Sequence, residues 1–160
     1  MEFFSATYSS PVGNLLLTCS NTHLVSLAYA PVTDQVLNTG ITPHPLLQKT
    51  IMQLSQYFEG ARTVFDLPLQ QKGTEFQQAV WLLLCAIPYG TTISYRQLSR
   101  QWGDVKAIRA VASANGKNNL PIIIPCHRVI GANRSLTGYS GGLGRKKWLL
   151  NHESGTPQLF

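Results

Sequence analysis

The chain has 160 residues, 44% of them hydrophobic and 12% charged, with a formal net charge of +6. That composition excludes a disordered chain and suffices for one ordinary domain or two small packed ones. The longest apolar stretches, such as Val80–Ile87, are too short to span a bilayer, and Met1-Glu2-Phe3-Phe4-Ser5 has neither the basic start nor the apolar run of a signal peptide. A soluble, cytoplasmic protein without membrane contact is therefore expected.

Residues 1–72 read as β structure with one helix. Val12–Thr18 and His23–Tyr29 are short apolar runs separated by Ser20-Asn21-Thr22, which is turn composition, so a hairpin is predicted. Pro43-His44-Pro45 introduces a helix with Leu46, Leu47, Ile51, Leu54, Tyr57 and Phe58 at helical spacing and Gly60 past its end. Thr63–Leu67 reads as a further strand, and Pro68–Gly73 as a connector.

Residues 73–160 read as mainly helical. Thr74 with Gln77 forms a capping-box pattern opening a helix through Ala86, which Pro88-Tyr89-Gly90 ends. Ser94 with Gln97 repeats the pattern and starts a short helix through about Trp102. After the Gly103-Asp104 turn a second helix runs from about Val105 to Asn115. Two short helices joined by a tight glycine turn make a helix-turn-helix candidate, although many helical hairpins share that pattern. Val105, Ile108, Val111 and Ala112 fall on one side of the second helix, and Lys106, Arg109, Ala110 and Ser113 on the other, with Lys117 just beyond. The predicted outer face is thus basic but built of small residues, a shape that can approach a phosphate-lined groove.

The charge is unevenly divided. Residues 1–72 carry three basic against four acidic side chains, and residues 73–160 ten against three, so the halves stand at −1 and +7. Only the second half is matched to a polyanion; a merely solvated basic surface fits the charge alone equally well. The three cysteines, an odd number without a secretory signal, favour a free thiol over a disulfide framework. Cys85 lies inside an apolar run and reads as buried packing. Cys19 and His23 stand four apart but have no further ligand cluster, so no metal site is predicted.

Pro121-Ile122-Ile123-Ile124-Pro125-Cys126-His127-Arg128-Val129 carries the chemistry. The prolines bracket an apolar run and place the cysteine on a rigid inner segment. His127 and Arg128 are expected to draw the thiol pKa down from about 8.5, and Glu153 could orient an imidazole, giving a nucleophile–base–orienter set. Sequence adjacency alone leaves Cys126 equally readable as buried filler.

Pro125-Cys126-His127-Arg128-Val129 resembles the active-site signature of the O6-alkylguanine-DNA alkyltransferases. Gly73-Thr74-Glu75-Phe76-Gln77, Ile93–Leu98, Arg109-Ala110-Val111, Asn118, Gly138-Tyr139-Ser140-Gly141-Gly142 and Trp148–Glu153 all fall in that family's order and spacing. The resemblance is close over the second half and loose over the first, where Ser10-Pro11-Val12-Gly13 carries it. It implies an α/β N-terminal domain over 1–72, ribonuclease-H-like, and over 73–160 a mainly α C-terminal domain with a winged-helix-like helix-turn-helix that binds DNA and accepts the alkyl group. The implied activity is irreversible, single-turnover transfer of an alkyl group from O6-alkylguanine in double-stranded DNA to Cys126, by a monomer without cofactor. O4-alkylthymine is a further candidate substrate.

By the same resemblance His127 takes the thiol proton through a water, Glu153 holds the imidazole, and Asn118 braces the active-site turn. Arg109 fills the gap left by the flipped base and Tyr95 aids its rotation, while Ala110, Ser113 and Ala114 suit the minor groove and Arg128 joins the DNA contacts. Tyr139, Ser140, Val129 and Pro121 line the pocket, with Pro121 and Tyr139 bracketing the alkyl group. Ser20 and Val25 stand where zinc-binding relatives carry ligands, which again argues against a metal. A non-catalytic DNA-binding module would need none of the Cys126–His127–Glu153 set, and a thiol hydrolase would need an oxyanion hole besides.

Overall fold

The computed structural model describes residues 2–30 and 44–155, in two compact units, Met1–Gln71 and Lys72–Phe160. In the first unit, β1 (Phe4–Ser10), β2 (Gly13–Cys19) and β3 (Leu24–Tyr29) form an antiparallel meander in that order. Strand alternation does the sorting: Leu15, Leu17 and Cys19 of β2 are fully buried, while the residues between them are half exposed. Gly13, with φ of 108°, makes the β1–β2 turn possible, and the Ser10 hydroxyl donates to its carbonyl.

Helix α1 (Pro45–Phe58) starts where His44 caps it, the imidazole Nδ1 accepting from Leu46 N, with proline in the first turn. Pro43 lies outside the described residues. The helix buries Leu47, Leu54 and Tyr57, each worth about 1.5–3 kcal/mol. It also buries two polar residues, both satisfied. Thr50 Oγ1 donates to Leu46 O at 2.8 Å, and the Gln53 amide pairs with both backbone groups of Asp66 at 2.9 and 3.0 Å.

Two readings of this unit are corrected. Thr63–Leu67 forms no strand, because Gln53 already occupies Asp66; the edge of β3 is met two residues later, at Pro68–Gln70, where Leu24 bridges Leu69 in parallel. Cys19 does not face His23. Its sulfur lies 3.6 Å from His44 Nδ1, and the His23 ring bonds Thr22 Oγ1. Among the described residues no three His, Cys, Asp or Glu converge, and no helix is long and apolar enough to cross a membrane.

The second unit is helical. Helix α2 (Glu75–Cys85) opens on a complete Thr74–Gln77 capping box and buries Val80, Trp81 and Leu84. Gly73 is required: a Cβ there would stand 2.5 Å from the Trp81 ring. Cys85, expected inside, is exposed, because it follows Leu84 by one position and so turns about 100° off the buried stripe. A second capping box, Ser94 with Gln97, ends the short strand β4 (Ile93–Ser94) and begins helix α3 (Tyr95–Trp102).

Gly103, at φ 123°, turns the chain. Asp104 caps a 3-10 turn over Val105–Ala107, and helix α4 (Ile108–Gly116) follows. The α4 end is pinned by the Trp81 indole, which donates to Ala114 O at 2.9 Å. Strand β5 (Val129–Ile130) pairs with β4 in parallel, Ile93 opposite Val129 and Ser94 opposite Ile130. Helix α5 (Leu143–Ser154) completes the unit.

Candidate active site

Residues 121–130 are all buried, so the segment carrying the cysteine is packed on every side. Ile122 sits at φ 73°, a conformation costing a β-branched residue on the order of 1–3 kcal/mol. It persists because the turn around it is overdetermined. Ile124 N donates to Leu120 O, while Asn118 Nδ2 donates to Ile124 O at 2.8 Å and its Oδ1 accepts from Leu120 N at 3.0 Å. Cys126, 4% exposed, then opens a short 3-10 turn over residues 126–128.

Behind the cysteine lies a buried electrostatic set. The ring of His127 is fully buried and bonds through Nε2 to Glu153 Oε2 at 2.7 Å. The same carboxylate takes a two-pronged bond from Arg128, Nε to Oε1 at 2.8 Å and an Nη to Oε2 at 3.0 Å, and the other Nη donates to Ile87 O. Burial alone would raise the Glu153 carboxyl, but the imidazole and the guanidinium outweigh it and hold it well below the usual carboxylate range. Burial pushes His127 the other way, below the usual imidazole value, despite the pull of Glu153. Glu153 is therefore ionised and His127 neutral. A neutral imidazole that donates from Nε2 has its lone pair on Nδ1, and that atom has no hydrogen-bond partner among the described residues.

The thiol departs from expectation. Burial raises the Cys126 pKa, with Asn118 and the charge of Lys146 acting against the rise. Arg128 gives no help, since its charge is committed to Glu153. Cys126 therefore rests as a protonated thiol. For the same reason Arg128 is corrected as a DNA contact: it is 6% exposed and turned inward, with its guanidinium over the Tyr89 ring at 5.7 Å.

The outer face of α4 and its flanks exposes Lys106, Arg109, Ala110, Ser113 and Lys117. The inner face is Val111, Ala114 and Asn115, so Ala114 cannot line a groove as expected. Tyr95 stands at the α3 start, its hydroxyl donating to Thr137 O at 2.9 Å. Of the loop residues, Tyr139 is buried and Ser140 exposed, while Pro121 and Val129 are buried with the cysteine segment.

Two residues at this site escaped the sequence reading. Lys146, fully buried, donates to Val129 O at 2.6 Å and Thr137 O at 2.9 Å, tying the cysteine strand to the Tyr139 loop. Burial brings its pKa down to about 8, against the pull of a Cys126 thiolate. Asn115 reaches Cys126 O through Nδ2 at 3.4 Å. Both were hidden by their neighbours: Lys146 sits in an Arg-Lys-Lys run and Asn115 beside a helix end. The available signal was phase, since Lys146, Leu149, Leu150 and Glu153 share one helical face, as do Val111, Ala114 and Asn115.

A free thiol, a neutral buried imidazole and an ionised carboxylate, in one unit with a helix-turn-helix that has a basic outer face, define a helix-turn-helix protein built around a buried free cysteine. Residues 4–71 match the ribonuclease-like domain, and residues 75–155 the DNA-binding domain, of 6-O-methylguanine DNA methyltransferase. A methylated-DNA–protein-cysteine methyltransferase of Mycobacterium tuberculosis is 46% identical over 148 residues, 92% of this chain and 90% of that protein. The constitutive one of Bacillus subtilis is 42% identical, with 96% of each covered. The crystal structure of the M. tuberculosis O6-methylguanine methyltransferase superposes with a TM-score of 0.84 at 42% identity, covering 99% of this chain and 97% of that one. A DNA complex from the same organism superposes at 0.82, with 44% identity and 96% and 94% covered. The chain belongs to the 6-O-methylguanine DNA methyltransferase family.

Proposed function

We propose that this protein repairs DNA by moving the alkyl group of O6-alkylguanine onto Cys126 Sγ, once per molecule. The observation that carries the reading is the unpartnered Nδ1 of a neutral His127 whose other nitrogen is fixed by Glu153, next to a thiol that rests protonated. His127 Nδ1, through a water, takes the thiol proton as sulfur attacks. The S–C bond forms as the C–O bond breaks, the electron pair goes to the base, and the proton restores neutral guanine. The thioether offers no leaving group comparable to guanine, so the step is not reversed.

A base inside a duplex cannot reach a sulfur this buried, so it must be flipped, at a cost of a few kcal/mol in stacking. Arg109, exposed among small residues on α4, fills the vacated space in this reading, with Tyr95 guiding the turned-out base and Ala110 and Ser113 against the minor groove. Tyr139, Ser140, Val129 and Pro121 hold the base and its alkyl group, and Asn118 keeps the turn in place. The DNA-binding and acceptor domain is residues 73–160, and residues 1–72 form the N-terminal domain. The protein acts without cofactor as a cytoplasmic monomer, and O4-alkylthymine is a second candidate substrate.

Intact mass after incubation with duplex DNA containing O6-methylguanine tests the reading. One methyl should appear on the peptide carrying Cys126 and none in Cys126→Ala, which has no acceptor sulfur at that position. Arg109→Ala should slow transfer from duplex far more than from the free modified base. Several turnovers per protein, or a methyl on Cys85, would sink the mechanism.

A further inference from the structure

Asn115 has a buried amide used at only one end. The residue is 2% exposed, and its Nδ2 reaches Cys126 O at 3.4 Å. Its Oδ1 is buried and has no hydrogen-bond partner among the described residues. Such an acceptor is costly to leave unmade, and an orphan of this kind in a native site calls for an explanation. The amide cannot simply turn over, because the Cys126 carbonyl is itself an acceptor and needs the NH₂ end. The unused oxygen thus belongs to an amide held against the backbone of Cys126.

The chemistry of the lesion supplies the missing donor. Alkylation at O6 leaves N1 of guanine without a hydrogen, so N1, N3 and N7 are all acceptors. The exocyclic 2-amino group is the donor that remains, and it flanks N1 on the side opposite O6. A base whose alkyl carbon meets Sγ therefore presents its amino group near the backbone of the same residue. We propose that Asn115 is a specificity-determining residue, its Oδ1 accepting a hydrogen bond from the 2-amino group of the extruded O6-alkylguanine. The proposal rests on the transfer reaction argued above and adds to it which base is selected.

Single-turnover rates, read by intact mass, should be compared on single-stranded oligonucleotides containing O6-methylguanine or O6-methylhypoxanthine, which lacks the amino group. Single strands remove the difference in base pairing. The parent protein should react about ten- to a hundred-fold more slowly with the hypoxanthine base, because Oδ1 is then left unpaired. Asn115→Leu, close in shape, should narrow that ratio about tenfold, mainly by slowing O6-methylguanine. A parent protein that does not distinguish the two bases overturns the proposal even if no variant folds. So does a Leu variant that slows both substrates by one common factor, the mark of a purely structural amide. Failure of the parent to methylate itself at all would instead defeat the transfer reading.

Discussion

Helix α1 in the first unit and helix α5 in the second both carry polar residues on the face that packs inward, and the two sets differ in kind. On α1, Thr50 and Gln53 are neutral and bond only to backbone, one turn back along the same helix or across to Asp66. On α5, Lys146 and Glu153 carry charge. Their partners are the carbonyls of the cysteine strand and the Tyr139 loop for one, and His127 and Arg128 for the other. The α1 groups close every bond within their surroundings. The α5 set leaves one atom open, Nδ1 of His127. Buried polarity that is neutral and closed reads as architecture; buried charge that ends in one open lone pair reads as chemistry.

The largest effect should come from Glu153→Ala. Removing one member of a buried ion set strands the Arg128 charge and costs about 3–5 kcal/mol, a loss that denaturant titration would register. Transfer should fall as well, since His127 loses what fixes its tautomer. A variant as stable as the parent would erase the distinction between α5 and α1.

Acid should separate the helices next. The folded protein holds His127 below its ordinary value, so below about pH 6.5 the unfolded chain binds a proton that the folded one refuses, and stability falls. Glu153 is depressed as well: its contribution is fully present above the ordinary carboxylate range and is lost as pH falls below it. Both losses run in the same direction, in two successive windows, and Glu153→Gln should flatten the lower one. A melting temperature unchanged between pH 7 and pH 4 would mean that the imidazole is not the neutral, buried base described above.

The smallest effect belongs to α1. Gln53→Ala should cost about 1–3 kcal/mol by leaving the Asp66 backbone unpaired, with the rate of transfer by folded protein unchanged. A change in that rate beyond about twofold would show that the first unit's closed polar pairs are not confined to architecture.

Sequence reading recovered what depends on local pattern. The two capping boxes, Thr74–Gln77 and Ser94–Gln97, stand as their spacing required, and the exposed side of α4 is the predicted set of Lys106, Arg109, Ala110 and Ser113. What it missed depends on direction and on partners far along the chain. Cys85 shares an apolar run with Leu84, and only helical phase tells which of the two is buried. Arg128 is adjacent to His127, yet its direction is set by Glu153, 25 residues on. The strand expected at Thr63–Leu67 was forestalled by a glutamine side chain on another element. The thiol pKa was misjudged for a similar reason: neighbours in sequence were weighed, and the burial supplied by the whole fold was not.

The bond from the Trp81 indole to the last turn of α4 has a spectroscopic consequence. Trp81 is 3% exposed and held against the helix end, whereas Trp102 is 39% exposed and meets Phe76 edge-on, and Trp148 lies stacked on His152. The three indoles therefore occupy three unlike surroundings, one of them coupled to the helix that carries Arg109. With Trp102 and Trp148 replaced by phenylalanine, emission from Trp81 alone becomes a label-free monitor of that helix, in which a displacement of α4 would be visible as a change of wavelength in real time.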